Sequence, residues 1–431
     1  MKRRDFVKSS AVGLGLALGS RFWTSAYAQA ARVGPGPYGR LASAPDSNGL
    51  LLPSGFSSRV IARTASPVPG TTHVWHVAPD GGACFALPSG GWVYVSNSEV
   101  FFVGGAAAIE FDADANIVAA RTILSGTNFN CAGGATPWGT WLSCEEWPRG
   151  KVYECHIDGQ SAVLRPQLGT FSHEAVAVDP RERRLYLTED DYEGRFYRFT
   201  PSHYPSLAAG RLEAALVTWT DDFQGRVSWV PVSKLVPVSS DPSTRRRTTA
   251  FRNGEGCFYD SGSVYFTTKG DDRVWALEVS THVLECIYAP ALYPSSPLRG
   301  ADNVVVSRSG DLFVAEDGGD MELCMLTPDR ELSRFLRLTG HEGSEITGPA
   351  FNPSGDRLYF SSQRGTEGSG LGVTFEVTGP FRRDGLLGAS FDGKQRSRPL
   401  AHRTERTRQA APDVQSGYAA PHEDLSMLWT S

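Results

Sequence analysis

Acidic residues stand at matching places along this chain, beside short apolar runs. His173-Glu174, Glu255, Asp302-Asn303 and Glu345 precede such runs, and Asn97-Ser98-Glu99, Cys144-Glu145-Glu146, Glu189-Asp190-Asp191 and Glu316-Asp317 follow them. One acid in such a place is an ordinary solvated loop residue. The same placement repeated along the chain gathers carboxylates around one point, where they repel unless cations neutralise them or raised pKa values keep some protonated. Calcium meets that need, because it takes 6–8 oxygen ligands from carboxylates, carbonyls and water. A thiolate in the same set adds a softer site that favours iron, copper or zinc. The most specific stretch is Asn128 to Glu146, where Gly133 and Gly134 permit close backbone approach beside Cys131 and the run Thr140 to Ser143 ends at Glu145 and Glu146. The bland alternative for this stretch is a structural turn followed by a packed strand.

The elements that would position these groups are paired short strands. Glu174 to Asp179 and Leu185 to Thr188 flank a turn, as do Gly256 to Tyr259 and Val264 to Thr267, Asn303 to Val306 and Leu312 to Ala315, and Gly348 to Phe351 and Leu358 to Ser361. The last two units start about 45 residues apart, and a repeat of roughly 40–50 residues built from short strands marks a β-propeller. Long 3.6-residue periodicity is absent, which argues against helices. The expected fold is all-β: a single-domain propeller over residues 55–380, most simply with six blades, seven being the alternative. Residues 31–54 read as a linker or wrapping arm. An insertion over about 201–250, with Arg245-Arg246-Arg247, reads as a surface loop bearing a short helix, and the polar stretch 381–431 as a mobile tail.

The chain has 431 residues, 40% hydrophobic and 21% charged, with 46 glycines and 27 prolines that punctuate turns. A formal net charge of −5 argues against a nucleic-acid partner. The seven cysteines are odd in number, irregularly spaced and without a CxxC pair, so at least one is unpaired. Residues 1–30 read as a removable leader: Arg3-Arg4 near the start, an apolar run from Ala11 to Gly19, then small residues at Ala26, Ala28 and Ala30. Twin arginines direct folded proteins through the Tat export machinery. The apolar run is about half the ~20 residues of a spanning helix. A periplasmic or extracellular monomer without a stable membrane anchor is the expectation.

The combined motifs resemble those of the PhoX-type alkaline phosphatase family. They are Asp80-Gly81-Gly82, Val95-Ser96-Asn97-Ser98-Glu99, Asn130-Cys131-Ala132-Gly133-Gly134-Ala135-Thr136-Pro137-Trp138, Cys144-Glu145-Glu146, His173-Glu174, Thr188-Glu189-Asp190, Gly254-Glu255-Gly256, Thr268-Lys269-Gly270-Asp271 and Asp302-Asn303, and they extend over about 75–365. The resemblance implies an exported phosphoric monoester hydrolase with an Fe(III)–Ca2+ cluster at the channel mouth and a small-molecule phosphate ester as substrate. Carried over by motif, Cys131, Glu174 and Glu255 would be iron ligands, with Glu255 able to bridge. Glu145, Glu146 and Asp302 would hold calcium, with Glu99 and Asp190 as further calcium ligands, and Asn97 would contact the phosphate. Family members are usually much longer, and they carry a phosphate-clamping arginine two residues before the glutamate matched to Glu255. Here that position is Asn253, with Arg252 one place further away as the candidate substitute. An amide cannot supply the charged, forked donor of a guanidinium. Two other functions therefore stand beside phosphatase: a calcium-dependent hydrolase of a non-phosphate ester or lactone, and a non-catalytic calcium-stabilised binding propeller.

Overall fold

The computed structural model describes residues 30–366 and 369–383. The leader, apart from Ala30, and the tail beyond Arg383 lie outside the described residues.

The chain is all-β and propeller-like, built from successive four-stranded antiparallel runs. The first comprises Pro79–Ala86, Trp92–Ser98, Gly104–Phe111 and Ile117–Thr127, and the second Asn130–Ala135, Thr140–Glu145, Val152–His156 and Ala162–Leu164. The third begins at His173–Asp179 and Arg184–Glu189, the fourth at Gly254–Asp260 and Ser263–Thr268, and the fifth at Ala301–Val306 and Leu312–Glu316. The sixth, Ile346–Phe351, Arg357–Ser362 and Val373–Thr378, takes its fourth strand from Ser57–Arg63, pairing Val373 with Arg63 and Thr378 with Ser57. Second strands such as Trp92–Ser98 and Leu312–Glu316 are buried along their whole length. They read as near-continuous apolar runs because both their faces are covered by neighbouring sheets. The tight turns before them use glycine where φ is positive, as at Gly310 (84°) and Gly355 (71°).

The hydrophobic core is divided among the sheet interfaces. Val93 and Val95 meet Trp141 between the first and second runs, and Phe196 stacks on Phe266 at 4.1 Å between the third and fourth. Phe313 and Phe335 meet Phe360 and Phe375 between the fifth and sixth. The six first strands adjoin one another in order and line a central cavity of about 340 Å³ through Gly82, Gly133, Val176, Cys257, Val304 and Gly348.

Of the two segments outside the repeat, the first takes the arm form of its two expected alternatives and the second departs from the expected surface loop. Residues 31–54 are an arm laid on the sheet: Arg32–Val33 pairs parallel with Glu331 and Leu332, Leu50–Leu51 pairs with Leu338 and Arg337, and Leu50 and Leu52 enter the core. Half of the 201–250 insertion is sheet. Ser206–Trp219 and Gln224–Pro231 pair with each other, and the latter joins Val283–Tyr288, fusing the third and fourth runs into one nine-stranded sheet. Only the single turn Pro242–Arg245 is α-helical, capped by Asp241, which accepts from Ser243 N at 3.0 Å. All seven cysteines are free thiols.

Ring closure rests on apolar burial where the first and last parts of the chain meet. Phe375 is 1% exposed and stacks on Phe360 at 5.2 Å. Phe375→Ala is expected to destabilise the fold by about 3–5 kcal/mol, read from equilibrium denaturant unfolding; a change below about 1 kcal/mol would show that the closure does not depend on this ring.

Candidate functional site

Each first strand carries the same irregularity. Its pairing with the second strand breaks after the opening residue, or after the second residue in the sixth strand, and resumes three residues later, between Pro79 and Gly82, Asn130 and Gly133, His173 and Val176, Gly254 and Cys257, Ala301 and Val304, and Thr347 and Ala350. Bulges of this kind bend a strand and re-aim its side chains. The first residue released by each bulge is Asp80, Cys131, Glu174, Glu255, Asp302 and, in the sixth strand, Gly348. A second row lies just beyond the ends of the second strands: Glu99, Glu146, Asp190, Lys269, Asp317 and Gln363.

The two rows interlock. Donor atoms of Asp80, Glu99 and Cys131 lie within 4.8 Å of one another, as do those of Cys131, Glu146 and Glu174, of Glu174, Glu255 and Asp302, and of Asp302, Asp317 and Glu345. The Cys131 thiol is 3.3 Å from Glu174 Oε1, and Gln363 Nε2 donates to Asp80 Oδ2 at 2.5 Å and to Glu99 Oε2 at 2.7 Å. Lys269 Nζ sits between Glu255 Oε1 (2.9 Å) and Asp317 Oδ2 (3.1 Å), and Arg364 pairs with Glu345 at 2.6 Å. Glu174 Oε2 is buried with no hydrogen-bond partner.

Burial, reinforced by neighbouring carboxylates, governs the electrostatics. It pushes Asp80, Glu174 and Glu255 well above the usual carboxylate range and holds the Cys131 thiol well above its ordinary value. Glu146 is pushed up to about 10, by burial and then by Asp190, and Glu345 to about 9, by burial and then by Asp302. Asp302 rises to about 7, burial outweighing the attraction of Lys269. Asp317 goes the other way: burial opposes its charge, but Lys269 and the hydrogen bonds it accepts lower its pKa. For Lys269 burial also opposes the charge, and Glu255, Asp302 and Asp317 outweigh it, so the ammonium is held charged.

The structure brings together Glu99, Cys131, Glu146, Glu174, Glu255 and Asp302, with Asp190 against Glu146. It gives Asn97, Glu145 and Arg252 different surroundings from those expected. Asn97 is fully buried: its amide donates to the carbonyls of Cys131 (3.2 Å) and Ala132 (2.7 Å) and accepts from Trp141 Nε1 and Ser143 Oγ, leaving no donor for a phosphate. Glu145 accepts from the backbone N–H groups of Asn128 and Lys151, on the side of its strand end away from Glu146. Arg252 is exposed, with its guanidinium 4.8 Å from the centre of the Tyr192 ring. Asn253 holds Asp190 through Nδ2 at 2.8 Å and has φ of 47°, a left-handed conformation that asparagine tolerates and arginine adopts at a cost. Sequence reasoning placed Asp317 among the strand-end acids without giving it a ligand role, and did not single out Asp80, Lys269 or Gln363 as site residues. The signal was available: each occupies the same register, relative to its strand, as a residue that was chosen.

A carboxyl whose pKa is raised on folding binds its proton more tightly in the folded chain. Its contribution to stability is complete below the unfolded value and is lost as pH rises through the folded one. For Asp302 this window runs from about 4 to about 7. Chelator-treated protein is therefore expected to lose thermal stability as pH rises from about 4 to about 7, and Asp302→Asn to flatten the decline; a melting midpoint that rises over that range would contradict the burial argument.

Comparisons with known proteins bear on this geometry. Residues 94–161 and 154–285 match the family model described as alkaline phosphatase PhoX. Among solved structures, Pseudomonas fluorescens PhoX in complex with vanadate, a transition state analogue, superposes with a TM-score of 0.64 at 16% identity, covering 81% of this chain and 99% of that one. XC5397 from Xanthomonas campestris, described as a gluconolactonase, gives a TM-score of 0.41 at 16% identity over 70% of this chain and 86% of that one. No curated protein sequence matches. Among the described residues no helix is long and apolar enough to cross a membrane. The matched segments span the second, third and fourth runs with Cys131, Glu146, Glu174 and Glu255, and over this part the chain is similar to the PhoX alkaline phosphatase family.

Proposed function

We propose that this protein hydrolyses phosphate monoesters at the mouth of a six-bladed propeller, in the manner of an alkaline phosphatase, after Tat-dependent export to the periplasm or cell exterior. The observation that carries the reading is the row of bulges that releases Asp80, Cys131, Glu174, Glu255 and Asp302 toward one another, in a chain similar to the PhoX family. Six four-stranded runs support the blade count.

The residues fit a mixed cation cluster. Hard carboxylate oxygens predominate, a single thiol supplies the softer donor, and Glu174 Oε2 lacks any partner within the protein. Cys131, Glu174 and Glu255 would hold Fe(III), and Glu146, Asp302, Glu99 and Asp190 would hold Ca2+. When bound, the cations would supply positive charge and Lewis acidity toward the phosphate oxygens. The chain's own residues prepare that site. Lys269 fixes Glu255 and Asp317 and adds a permanent positive charge at the mouth. Gln363 holds Asp80 and Glu99 together, and Asn253 orients Asp190.

Asn253 also motivates a second reading, hydrolysis of a non-phosphate ester or lactone, because its amide is engaged by Asp190 and supplies no guanidinium to a phosphate. One set of measurements separates the two. Protein matured in the presence of iron and calcium is expected to hydrolyse 4-nitrophenyl phosphate, to contain iron by elemental analysis, and to lose activity to a chelator. Glu174→Gln is expected to lower kcat roughly 100-fold or more, and Cys131→Ala to lower the iron content. Stoichiometric metal with lactone hydrolysis and no phosphate release would sink the phosphatase reading.

A further inference from the structure

Beside the carboxylate cluster lies a separate pocket of about 340 Å³, lined by Trp219, Phe251, Arg252, Asp271, Arg273 and Trp275. Two backbone segments form the partition. Arg252 faces the pocket while its neighbour Asn253 binds Asp190, and Asp271 faces it two residues after Lys269, which pairs with Glu255. The segments are tied to each other: Lys269 N donates to Asn253 O at 2.8 Å and Gly270 N to Arg252 O at 3.2 Å.

The pocket has an aromatic wall. Trp219 and Trp275 lie with ring centres 5.7 Å apart; Trp275 is buried, whereas Trp219 is 43% exposed. Trp219 is the last residue of the long strand Ser206–Trp219, so the insertion that fuses the third and fourth runs is what delivers it. The charges are unevenly distributed. Arg273 is committed to Asp271 at 3.2 Å, and Asp271 also accepts from Thr268 Oγ1 at 2.6 Å. Arg252 makes no ion pair among the described residues. A second hollow, which shares Trp219 and Arg273 with the first, is lined by Asp221 and Asp222. A ligand with an anionic end and a flat apolar end is thus favoured with the anion toward Arg252 and the cluster and the flat group against Trp219.

We propose that this pocket receives the leaving group, and that the substrates are phosphate monoesters of planar aromatic groups, whether aryl alcohols or nucleosides. This deepens the phosphatase reading and rests on it. In the reaction, water adds its oxygen to phosphorus as the bond from phosphorus to the ester oxygen breaks, and a proton ends on the departing alcohol.

The test compares kcat/KM for 4-nitrophenyl phosphate, adenosine monophosphate and glycerol 3-phosphate in the metal-loaded wild type, Trp219→Ala and Trp219→Phe. Trp219→Ala is expected to lower the ratio of aromatic to glycerol ester roughly tenfold, chiefly through KM, because stacking on an aromatic side chain carries that weight; Trp219→Phe should restore most of it. A fall for adenosine monophosphate alone assigns the pocket to nucleosides, and a fall for both assigns it to aromatic groups generally. Equal losses on all three esters would overturn the proposal. If the wild type hydrolyses none of them, the phosphatase reading fails instead. The pocket is then judged by calorimetric binding of adenosine monophosphate against ribose 5-phosphate, where equal affinities in wild type and Trp219→Ala would overturn it as well.

Discussion

Carboxylates crowded together out of water repel one another, and much of this chain serves to hold them in place. The repulsion is visible in how far burial and like charge raise Glu146 and Glu345. Side chains from one run grip the backbone of the next beside the very residues that repel. Thr188 Oγ1 donates to Glu255 O at 2.5 Å, Thr267 Oγ1 donates to Asp302 O, Asn97 binds Ala132 O, and Thr347 Oγ1 donates to Pro79 O at 2.8 Å. These are bonds between neighbouring runs, so the acids sit on a closed frame and not on separate loops. A donor set held this firmly matches the general requirement that ligands be pre-oriented by their surroundings.

The paired acids at the ends of the second strands divide into two jobs. Glu145, Glu189 and Glu316 each accept from the backbone N–H six residues later, at Lys151, Arg195 and Glu322, and so close the loop into the third strand. Their immediate neighbours Glu146, Asp190 and Asp317 turn toward the mouth. Because successive residues of a strand face opposite ways, a doublet of acids at a strand end yields one structural carboxylate and one available to a cation.

That division marks where the sequence was legible. Apolar runs, glycine turns and a repeat of about 45 residues disclosed the strands and the propeller-like plan, since those features follow from local backbone preference and burial. The acids could be recognised from their register, and most of those chosen do converge. Glu145 and Asn97 were misjudged because sequence carries no record of which face a strand end presents. Lys269 was passed over because a lysine among acids is not a metal ligand; its value lies in offsetting the repulsion between Glu255 and Asp317. The insertion over 201–250 looked like a loop because its polar residues alternate along a hairpin lying largely at the surface, and a β-hairpin there needs no continuous apolar run.

The sixth run takes its outer strand from Ser57–Arg63, so the first-made and last-made parts of the domain are hydrogen-bonded partners. The frame therefore cannot shut during synthesis until Thr378 has left the ribosome. Before that moment Asp80 and Cys131 have no fixed distance to Asp302 or Glu345. Order in time follows from order in space: the complete donor set exists only once the sixth run has emerged and closed on Ser57–Arg63.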